Sequence, residues 1–423
     1  MKHPDYSRSG LHYVSCVILV IATQAHSLEL SVNAGSQLTN NALKTKNNRI
    51  TELQDHIGLT TFHTQESSRS QLNVDYSFDY ENYKKKSQES RLIVNGSAFA
   101  YADLQPWLNA KLSHSAKEVL DSPGQPQLAS NTDNRHITSA SLDFLYTPNN
   151  HNNFTITPSI TDIHYRDASD IDSTRKGIQA IWMRNINPIT EIKLSALHQN
   201  IDYVQDEDGD FDQLSIIIVR RLRLLNYRIE VGHNEIRSSF GEKLASPLLE
   251  LFTELNNGGH VLTAQYSHRV SDTSSGNQNN PLVSSTDGNR STLDLYQEQQ
   301  LNLSYLNSGI CNRCRASLAL DWLKEDYQAQ STENLQEQIT SLSLDYQASP
   351  LSNIHWLIKH NDTYFPKDIN NNYQQVNILL SYIRKLRKNL TVKLDAKYES
   401  RNSKIPLNSY SESSSQATLT YYF

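Results

Sequence analysis

The chain has 423 residues, of which 37% are apolar and 20% are charged, and its mean hydropathy is −0.59. So low a hydropathy is typical of disordered chains, yet the sequence holds 22 Tyr, 10 Phe and 4 Trp, which disordered chains avoid. The formal charge of −6, with no basic cluster, gives no reason to expect nucleic-acid binding. Many aromatic and uncharged polar residues instead indicate strands with one wet and one apolar face.

The first 27 residues have the three parts of a signal peptide. A weakly basic start precedes a short apolar stretch at 11–22, and small residues around Ala25 fit a cleavage site. A buried helix or a membrane anchor is the alternative, but the stretch is shorter than the roughly 20 residues that a spanning helix needs. We therefore predict a signal peptide at 1–27 and a mature chain of 28–423.

Apolar and polar residues alternate with a period of two through the whole mature chain, which is the pattern of β-strands. In QLNVDYSFDY the polar residues share one face of the predicted strand. The other face carries Leu72, Val74, Tyr76, Phe78 and Tyr80. No later segment has the 18 or more apolar residues of a transmembrane helix.

About twenty such segments follow one another, each roughly ten residues long, which is the span of a tilted membrane strand. No change of composition marks a second domain. The predicted strands are 28–37, 53–64, 71–82, 91–101, 106–115, 136–147, 154–165, 174–186, 189–201, 213–220, 224–234, 245–255, 260–270, 292–305, 314–326, 338–347, 353–364, 373–384, 389–400 and 414–423.

The connections between these segments alternate in length. If the last strand ends in the periplasm, short turns fall on the periplasmic side, at 103–106, 185–188, 255–259, 306–314, 347–353 and 384–389. Longer polar loops fall on the outer side, at 115–135, 202–212, 271–291, 327–337 and 401–413. Outer-membrane barrels have short periplasmic turns and long outer loops. The predicted fold class is therefore all-β: a single transmembrane antiparallel barrel of about 18–20 strands in a Gram-negative outer membrane. A soluble β-sandwich, the alternative, would seldom need so many strands.

The chain ends in SQATLTYYF, an alternating strand that finishes in an aromatic residue. This ending resembles the signal that the bacterial barrel-assembly machinery recognises. We therefore predict that Tyr421 and Phe423 belong to an assembly signal. The alternative is an ordinary edge strand of a soluble sheet.

Cys311 and Cys314 form a CNRC motif at a predicted periplasmic turn. A zinc site would need four ligands, and no second Cys pair exists. A thioredoxin-like redox pair would need a helix, whereas strands flank this turn. We predict a disulfide that closes the turn in an oxidising compartment.

Two further residue groups could carry chemistry. The stretch DYVQDEDGDFDQ clusters five acidic residues, which can hold calcium, but its spacing is not that of an EF-hand and a solvated outer loop is expected. The carboxylates are Asp206, Glu207, Asp208, Asp210 and Asp212.

Histidines are scattered along the strands, without a GxSxG motif or a compact Ser–His pair. We therefore predict no catalytic, metal or cofactor site. In the enzyme alternative, lumen histidines such as His198 and His268 would carry the activity.

The predicted lumen face has mixed charge, which suits neutral, hydroxylated ligands such as sugars better than one ion sign. Its charged residues are Asp75, Asp79, Lys193, Asp321, Asp345, Lys393, Asp395, Lys397 and Glu399. Aromatic residues near strand ends are expected to form interfacial girdles. These are Tyr80, Trp107, Tyr146, Trp182, Tyr398 and Tyr421.

Three stretches resemble the outer-membrane barrel proteins that accompany exosortase (PEP-CTERM) and exopolysaccharide gene clusters, the EpsL-like group. They are LELSVNAGSQLTNNAL, SQLNVDYSFDYENYKKKSQESRLIVNGSAFAYADLQPWLNAKLSHS and LDLYQEQQLNLSYL. The turn Thr39-Asn40-Asn41 stands where the family has a Thr-Asp-Asn type of turn. The resemblance implies a role in polysaccharide production or export and brings no catalytic residues.

The sequence thus predicts a porin-like barrel that passes or guides glycans, with the loops at 115–135 and 271–291 as candidates for constricting or plugging the lumen. A closed structural barrel of a secretion complex is the main alternative, and a lipid- or glycan-modifying enzyme the lesser one. The expected partners are outer-membrane lipid and lipopolysaccharide, the barrel-assembly machinery and polysaccharide export proteins.

Overall fold

The structure is a computed structural model that describes residues 28–122, 124–204, 208–238, 243–274 and 294–423. The predicted signal peptide at 1–27 lies outside the described residues, so the proposed division of the chain stays a prediction. No helix within the described ranges is long and apolar enough to cross a membrane.

Twenty strands make up the described chain, in the order predicted from the alternating pattern. Their bounds are β1 Leu28–Thr39, β2 Glu52–Glu66, β3 Ser70–Tyr83, β4 Arg91–Gln105, β5 Leu108–Leu120, β6 Thr132–Asn149, β7 Asn152–Tyr165, β8 Ser173–Asn187, β9 Thr190–Tyr203, β10 Gly209–Arg221, β11 Leu225–Ser238, β12 Lys243–Asn257, β13 His260–Asp272, β14 Leu295–Cys311, β15 Cys314–Tyr327, β16 Leu335–Ser349, β17 Ser352–Tyr364, β18 Tyr373–Arg387, β19 Leu390–Ser403 and β20 Tyr410–Tyr422.

Single 3₁₀ turns lie in five of the longer connections. They are Ala129–Asn131, Ser169–Ile171, Ser331–Glu333, Ile369–Asn371 and Pro406–Asn408.

Each strand pairs antiparallel with its neighbours in sequence, and β1 closes the sheet by pairing with β20 from Ser31–Tyr422 to Thr39–Ser414. Closure leaves no free sheet edge, which a membrane requires because lipid cannot satisfy unpaired backbone groups. The fold class is therefore confirmed as a closed all-β barrel of twenty strands.

Outward-facing apolar side chains form a continuous belt around the barrel. Every strand carries at least one large apolar or aromatic residue that is more than a third exposed, as expected for a wall that contacts lipid tails. Members include Leu59, Leu112, Leu142, Ile156, Ile178, Leu194, Leu214, Val231, Leu251, Leu318, Leu342, Leu380, Leu394 and Leu419. Of the predicted girdle residues, Tyr80, Trp107, Tyr146, Tyr398 and Tyr421 are exposed. Trp182 is half-buried and donates its indole N–H to Asn152 Oδ1 at 3.2 Å.

The strands are longer than predicted, at 12 to 18 residues instead of about ten. The additional residues lie mainly at the outer ends. Above the lipid belt both faces are wet, so the apolar alternation ends there although the hydrogen-bonded ladder continues. In β9, for example, the last apolar outward residue is Ala196, and His198, Asn200 and Asp202 follow on the same face.

The sheet splits where the outer end of β5 leaves β4. Pairing between these strands stops at Gly96–Ala116, although β4 continues to Arg91 beside β3. Gly96 has a φ of +147° and its Cα lies against the backbone of β3, so a side chain there would be strained. The Asn134 side chain of β6 spans the split and donates to Leu92 O at 3.2 Å. The tip of the β5–β6 hairpin is thereby free to lean into the barrel.

A second split separates β13 from the outer end of β12. Their pairing stops at Leu249–His268, although β12 continues beside β11 to Lys243. Pro247 lies on this unpaired edge, where the missing N–H costs no ladder bond. The side-chain amide of Asn234 in β11 spans the split, 3.2 Å from Ser246 O and 3.1 Å from Val270 N, and it can bond to both when its nitrogen faces Ser246. Beyond this split, residues 272–274 at the end of β13 lean inward in the same way and reach Arg175 of β8, and we call these three residues the β13–β14 tip.

Candidate functional site: the lumen and its outer mouth

The predicted lumen face lies opposite the outward apolar belt, as strand alternation requires. In β19 the outward residues Leu394 and Tyr398 are exposed, and Glu399 on the other face is 3% exposed. Neighbouring lumen groups pair with one another: Lys397 Nζ lies 2.7 Å from Glu399 Oε2, and Asp321 Oδ1 accepts from Asn302 Nδ2 at 2.7 Å. The lumen wall therefore has mixed and locally balanced charge.

A cavity of about 560 Å³ lies against the inner wall of β8–β14, and we call it the lumen pocket. Amide and hydroxyl side chains make up much of its lining, including Gln179, Gln213, Gln265, Gln300, Ser195 and Ser267. These groups donate and accept hydrogen bonds without net charge, which suits polyhydroxylated ligands.

Three arginines line the lumen pocket and hold carboxylates in different ways. Arg269 uses Nε and Nη2 together on Glu298 Oε1, at 3.2 and 3.1 Å. Arg228 bridges two carboxylates, with Nη2 on Glu230 and Nη1 on Glu250 Oε2 at 3.3 Å. The guanidinium groups of both residues are thus committed at two nitrogens.

Arg175 of β8 fastens the β13–β14 tip, and we call this contact the Arg175 latch. Its Nη2 donates to both oxygens of Asp272 and to Ser274 Oγ, each at 2.8 Å. Tyr165 adds a hydrogen bond from its hydroxyl to Ser274 O at 2.9 Å, and Ser173 Oγ lies 3.0 Å from Ser274 Oγ. All of these contacts are buried. They hold the first residues of the predicted 271–291 loop, of which 275–291 lie outside the described residues.

Arg401 of β19 fastens the β5–β6 tip, and we call this contact the Arg401 latch. Its Nη1 donates to Gln125 O at 3.0 Å and its Nη2 donates to Gly124 O. The guanidinium lies 3.5 Å from the ring centroid of Tyr373, and Asn408 Nδ2 adds a bond to Gly124 O at 3.3 Å. The loop predicted to constrict the barrel at 115–135 therefore reaches across the mouth from β5–β6 to β19.

A small apolar cluster fills the space between the β5–β6 tip and the β7–β8 corner. It consists of Val119, Ile163, Tyr165 and Ile171, each less than 4% exposed. Tyr165 belongs to this cluster and to the Arg175 latch, so the two inward tips share one packed support.

A second ion-pair network holds the β1–β2 loop against β19 and β20. Lys44 Nζ lies 2.8 Å from Glu399 Oε1 and 3.8 Å from Glu412 Oε2. Tyr410 donates its hydroxyl to Glu399, and Thr39 Oγ1 donates to Glu412 Oε1 at 2.5 Å. Such buried groups cost free energy unless each is paired, and here each carboxylate has partners.

Two carboxyl groups in the outer loops have raised pKa values. Burial, with the nearby carboxylates of Asp133 and Asp167, raises the pKa of Asp121 to about 6. Burial also raises the pKa of Asp172, although a backbone N–H and His164 favour its charged form. Asp121 lies at the base of the β5–β6 tip, where its N–H donates to Asn131 O at 3.2 Å. The tip therefore contains a carboxyl group whose pKa is raised to about 6.

The chemistry-bearing motifs of the sequence lie away from the lumen pocket. Cys311 and Cys314 are joined by a disulfide across the β14–β15 turn, with Cα atoms 5.0 Å apart. At the C-terminus, Phe423 N–H donates to Leu30 O at 3.0 Å, and the rings of Tyr421 and Phe423 lie 5.0 Å apart. Both features lie at the end of the barrel opposite the two hairpin tips.

The expected lumen position of His198 and His268 is wrong. His198 shares its face with Leu194, and its cross-strand partner Ile178 is 50% exposed, so it lies on the outer wall. Its Nδ1 lies 2.7 Å from Asp212 Oδ1. His268 pairs with Leu249 on the outer face, and its Nε2 lies 3.0 Å from Ser246 Oγ. Strand parity, applied to the residues two positions away, already places both histidines outside.

The acidic stretch becomes part of β10 and its preceding loop. Asp206 and Glu207 lie outside the described residues. Asp210 accepts from Asn200 Nδ2 at 2.6 Å, and Asp212 pairs with His198 and Arg237 on the outer wall. Among the residues that the structure describes, no group of three or more His, Cys, Asp and Glu side chains is arranged to hold a metal ion.

No family model and no curated protein matches this sequence. Among solved structures, the F3-3 variant of the FrpB iron transporter from Neisseria meningitidis is similar over 96% of this chain and 83% of its own, with a TM-score of 0.51 and 9% identity. The F5-1 variant of the same transporter is similar over 95% of this chain and 83% of its own, with a TM-score of 0.50 and 9% identity. The outer membrane protein opdK from Pseudomonas aeruginosa is similar over 94% of this chain and 98% of its own, with a TM-score of 0.44 and 9% identity.

At such low identity the likeness shows the fold alone. The chain has the fold of an outer-membrane β-barrel. That fold, with the lipid-facing belt, confirms the Gram-negative outer membrane as its location. The relationship to the exopolysaccharide-associated family is not shown and stays a prediction.

Proposed function

We propose that this barrel conducts or guides polyhydroxylated molecules, glycans above all, across the outer membrane through its lumen. The lumen pocket carries the proposal: a cavity of about 560 Å³ lined by amides, hydroxyls and paired charges on one side of the barrel. Sugars present many hydroxyl groups and little charge, so such a wall can exchange hydrogen bonds with them as they pass. A link to exopolysaccharide export rests on the sequence resemblance.

The test is single-channel conductance of the refolded mature protein in a planar bilayer, with maltotriose added as a neutral blocker. We expect discrete current steps that maltotriose interrupts in a concentration-dependent way. Gln265→Ala, within the lumen pocket, should shorten the sugar-induced blocks, and Gln416→Ala, outside it, should leave them unchanged. A barrel that folds, as judged by heat-modifiable gel mobility, but carries no current would contradict the proposal.

A closed structural barrel is the second candidate, because both inward tips are latched across the outer mouth. In this case the barrel would organise a secretion complex, with polysaccharide export proteins as partners at its periplasmic turns. Absence of current in the wild type together with unaltered glycan secretion in a latch-broken variant would favour it over a pore.

We further propose that Tyr421 and Phe423 form the signal for the barrel-assembly machinery, and that lipid and lipopolysaccharide surround the belt. The hydrogen bond from Phe423 N–H to Leu30 O, at the β1–β20 closure, supports this proposal. Deletion of Phe423 should lower the amount of folded barrel in the outer membrane without altering refolding into detergent. Equal loss in both assays would indicate a purely structural role.

A further inference from the structure

Arg175 differs from the other two arginines of the lumen pocket in how much of its guanidinium is used. Arg269 and Arg228 each commit two nitrogens to carboxylates. Arg175 reaches both Asp272 oxygens through the single nitrogen Nη2. Its Nε is buried and has no hydrogen-bond partner within the described part of the chain, and the residue is 8% exposed. A buried guanidinium N–H without an acceptor is costly, so this arrangement leaves binding capacity unused.

The geometry of a guanidinium favours a different arrangement. Nε and Nη2 form a planar fork that matches the two oxygens of a carboxylate or phosphate, and two parallel bonds are stronger and more specific than one shared nitrogen. Asp272 uses only the Nη2 side of this fork. An anionic group arriving from the lumen pocket could bind Nε and Nη2 together.

We propose that Arg175 is the anion-recognition site of the lumen pocket, where a carboxylate or phosphate on a glycan displaces Asp272. The substrate class is therefore a polyhydroxylated chain with anionic substituents, such as a uronic acid polymer or a phosphorylated glycan. This inference rests on the proposed glycan function and adds the chemical class of the glycan. The amides and hydroxyls of the pocket bind the sugar rings, and Arg175 selects the charge.

Displacement of Asp272 has a structural consequence. Asp272 and Ser274 are the residues through which Arg175 holds the β13–β14 tip against β8. A ligand that takes Arg175 releases this ion pair, so binding of the anion and loosening of the tip are one exchange. The hydroxyl of Tyr165 and its bond to Ser274 O then hold the tip more weakly.

The experiment compares three trisaccharides as blockers of single-channel current: trigalacturonate, maltotriose phosphate and neutral maltotriose. In the wild type, both anionic sugars should block about ten-fold longer than maltotriose, as expected for charge-assisted hydrogen bonds. If phosphate alone is recognised, only maltotriose phosphate will show the gain; if carboxylate alone, only trigalacturonate. Equal block by all three would overturn the inference and leave the proposed glycan pore intact.

Two variants separate recognition from folding. Asp272→Asn removes the competing carboxylate and should lengthen anionic block by about a further ten-fold. The double variant Arg175→Gln/Asp272→Asn replaces the ion pair by a neutral pair, and it should lose the anionic advantage while keeping the maltotriose block. Arg221→Gln is the matched control, because Arg221 pairs with Glu191 near the periplasmic turn and outside the lumen pocket. An equal loss in this control would attribute the effect to overall lumen charge.

Equilibrium binding keeps the inference testable if the barrel carries no current. Fluorescent trigalacturonate, titrated with the detergent-solubilised barrel, should bind the wild type and Asp272→Asn, and should bind the double variant about ten-fold more weakly. Binding to a silent barrel would support the anion site while contradicting the pore. Equal binding by all variants would overturn the anion site whatever the conductance.

Discussion

The two hairpins that lean into the outer mouth, β5–β6 and β13–β14, are built alike but fastened differently. Each leaves the preceding strand at a split in the sheet, and an asparagine from a nearby strand, Asn134 or Asn234, spans that split. Each tip then meets a buried arginine on a distant strand. Arg401 donates to two neutral backbone carbonyls, and Arg175 donates to a carboxylate.

This difference separates a clamp from an exchangeable contact. Carbonyl acceptors belong to the backbone and have no charge for an incoming anion to replace, and Tyr373 covers one face of Arg401. The Asp272 carboxylate can be exchanged for another anion on Arg175. We therefore expect the β5–β6 tip to be the fixed part of the mouth and the β13–β14 tip to be the responsive part.

The largest loss of stability is expected when Arg175 is removed and Asp272 is kept. Arg175→Gln leaves Asp272, which is 1% exposed, as a buried charge without its guanidinium partner. Removal of one partner of a buried ion pair typically costs about 3–5 kcal/mol. Hydrogen exchange of the β13 amides from Val270 to Asp272 should accelerate strongly. Asp272→Asn in the same background should restore much of the protection; if it does not, the loss is not electrostatic.

Breaking the Arg401 latch should have a smaller effect on order. Arg401→Ala removes two hydrogen bonds from a charged donor and the contact with Tyr373, together about 2–4 kcal/mol, but the freed carbonyls can bind water. Exchange at the β5–β6 tip should rise, and current noise with it. Arg401→Lys keeps the charge without the planar guanidinium, so its exchange rate at the β5–β6 tip should lie between those of the wild type and Arg401→Ala. Unchanged exchange in Arg401→Ala would show that Asn408 and the other loop contacts suffice.

The alternating pattern was enough to predict the barrel because the cause of the pattern is local. Every second side chain faces lipid or water, so each segment carries its own signal, and the order of all twenty strands followed from it. The outward position of His198 was equally readable, since Leu194 and Ala196 share its face. The outer ends of the strands were underestimated because both faces are polar there.

The latches could not be predicted in this way. Arg175 and Asp272 are 97 residues apart, and Arg401 and Gly124 are 277 apart, so no spacing rule connects them. Their contact depends on which hairpin leans inward, and the only local hint is the pair of strand breakers, Gly96 and Pro247, at the two splits. Gly58, Pro158 and Gly177 also lie inside alternating strands, yet pairing continues past each of them, so such a residue does not mark a split by itself.

Acidification should strengthen the β5–β6 tip by a modest amount. The folded protein raises the pKa of Asp121 from an ordinary value of 3.8 to about 6, so ionisation of Asp121 disfavours the folded tip. The tip is therefore most stable when Asp121 is neutral and loses stability as the pH rises through about 6. Exchange of the Asp121 and Ser122 amides, corrected for the intrinsic pH effect, should slow from pH 7.5 to 5. Asp121→Asn should remove this dependence; a variant that keeps it would assign the titration to another group.

The smallest effect on the mouth is expected from the disulfide at the opposite end of the barrel. Cys311 and Cys314 close a turn of four residues, for which the loss of chain entropy in the unfolded state is worth about 2 kcal/mol at most. The double change to Ser should lower the urea midpoint of unfolding slightly and leave conductance and tip exchange unchanged, because the turn touches neither hairpin tip. Mass spectrometry of the outer-membrane protein should show both thiols oxidised. If the double variant altered tip exchange, the two ends of the barrel would be coupled along β14, which runs from the disulfide to the responsive tip.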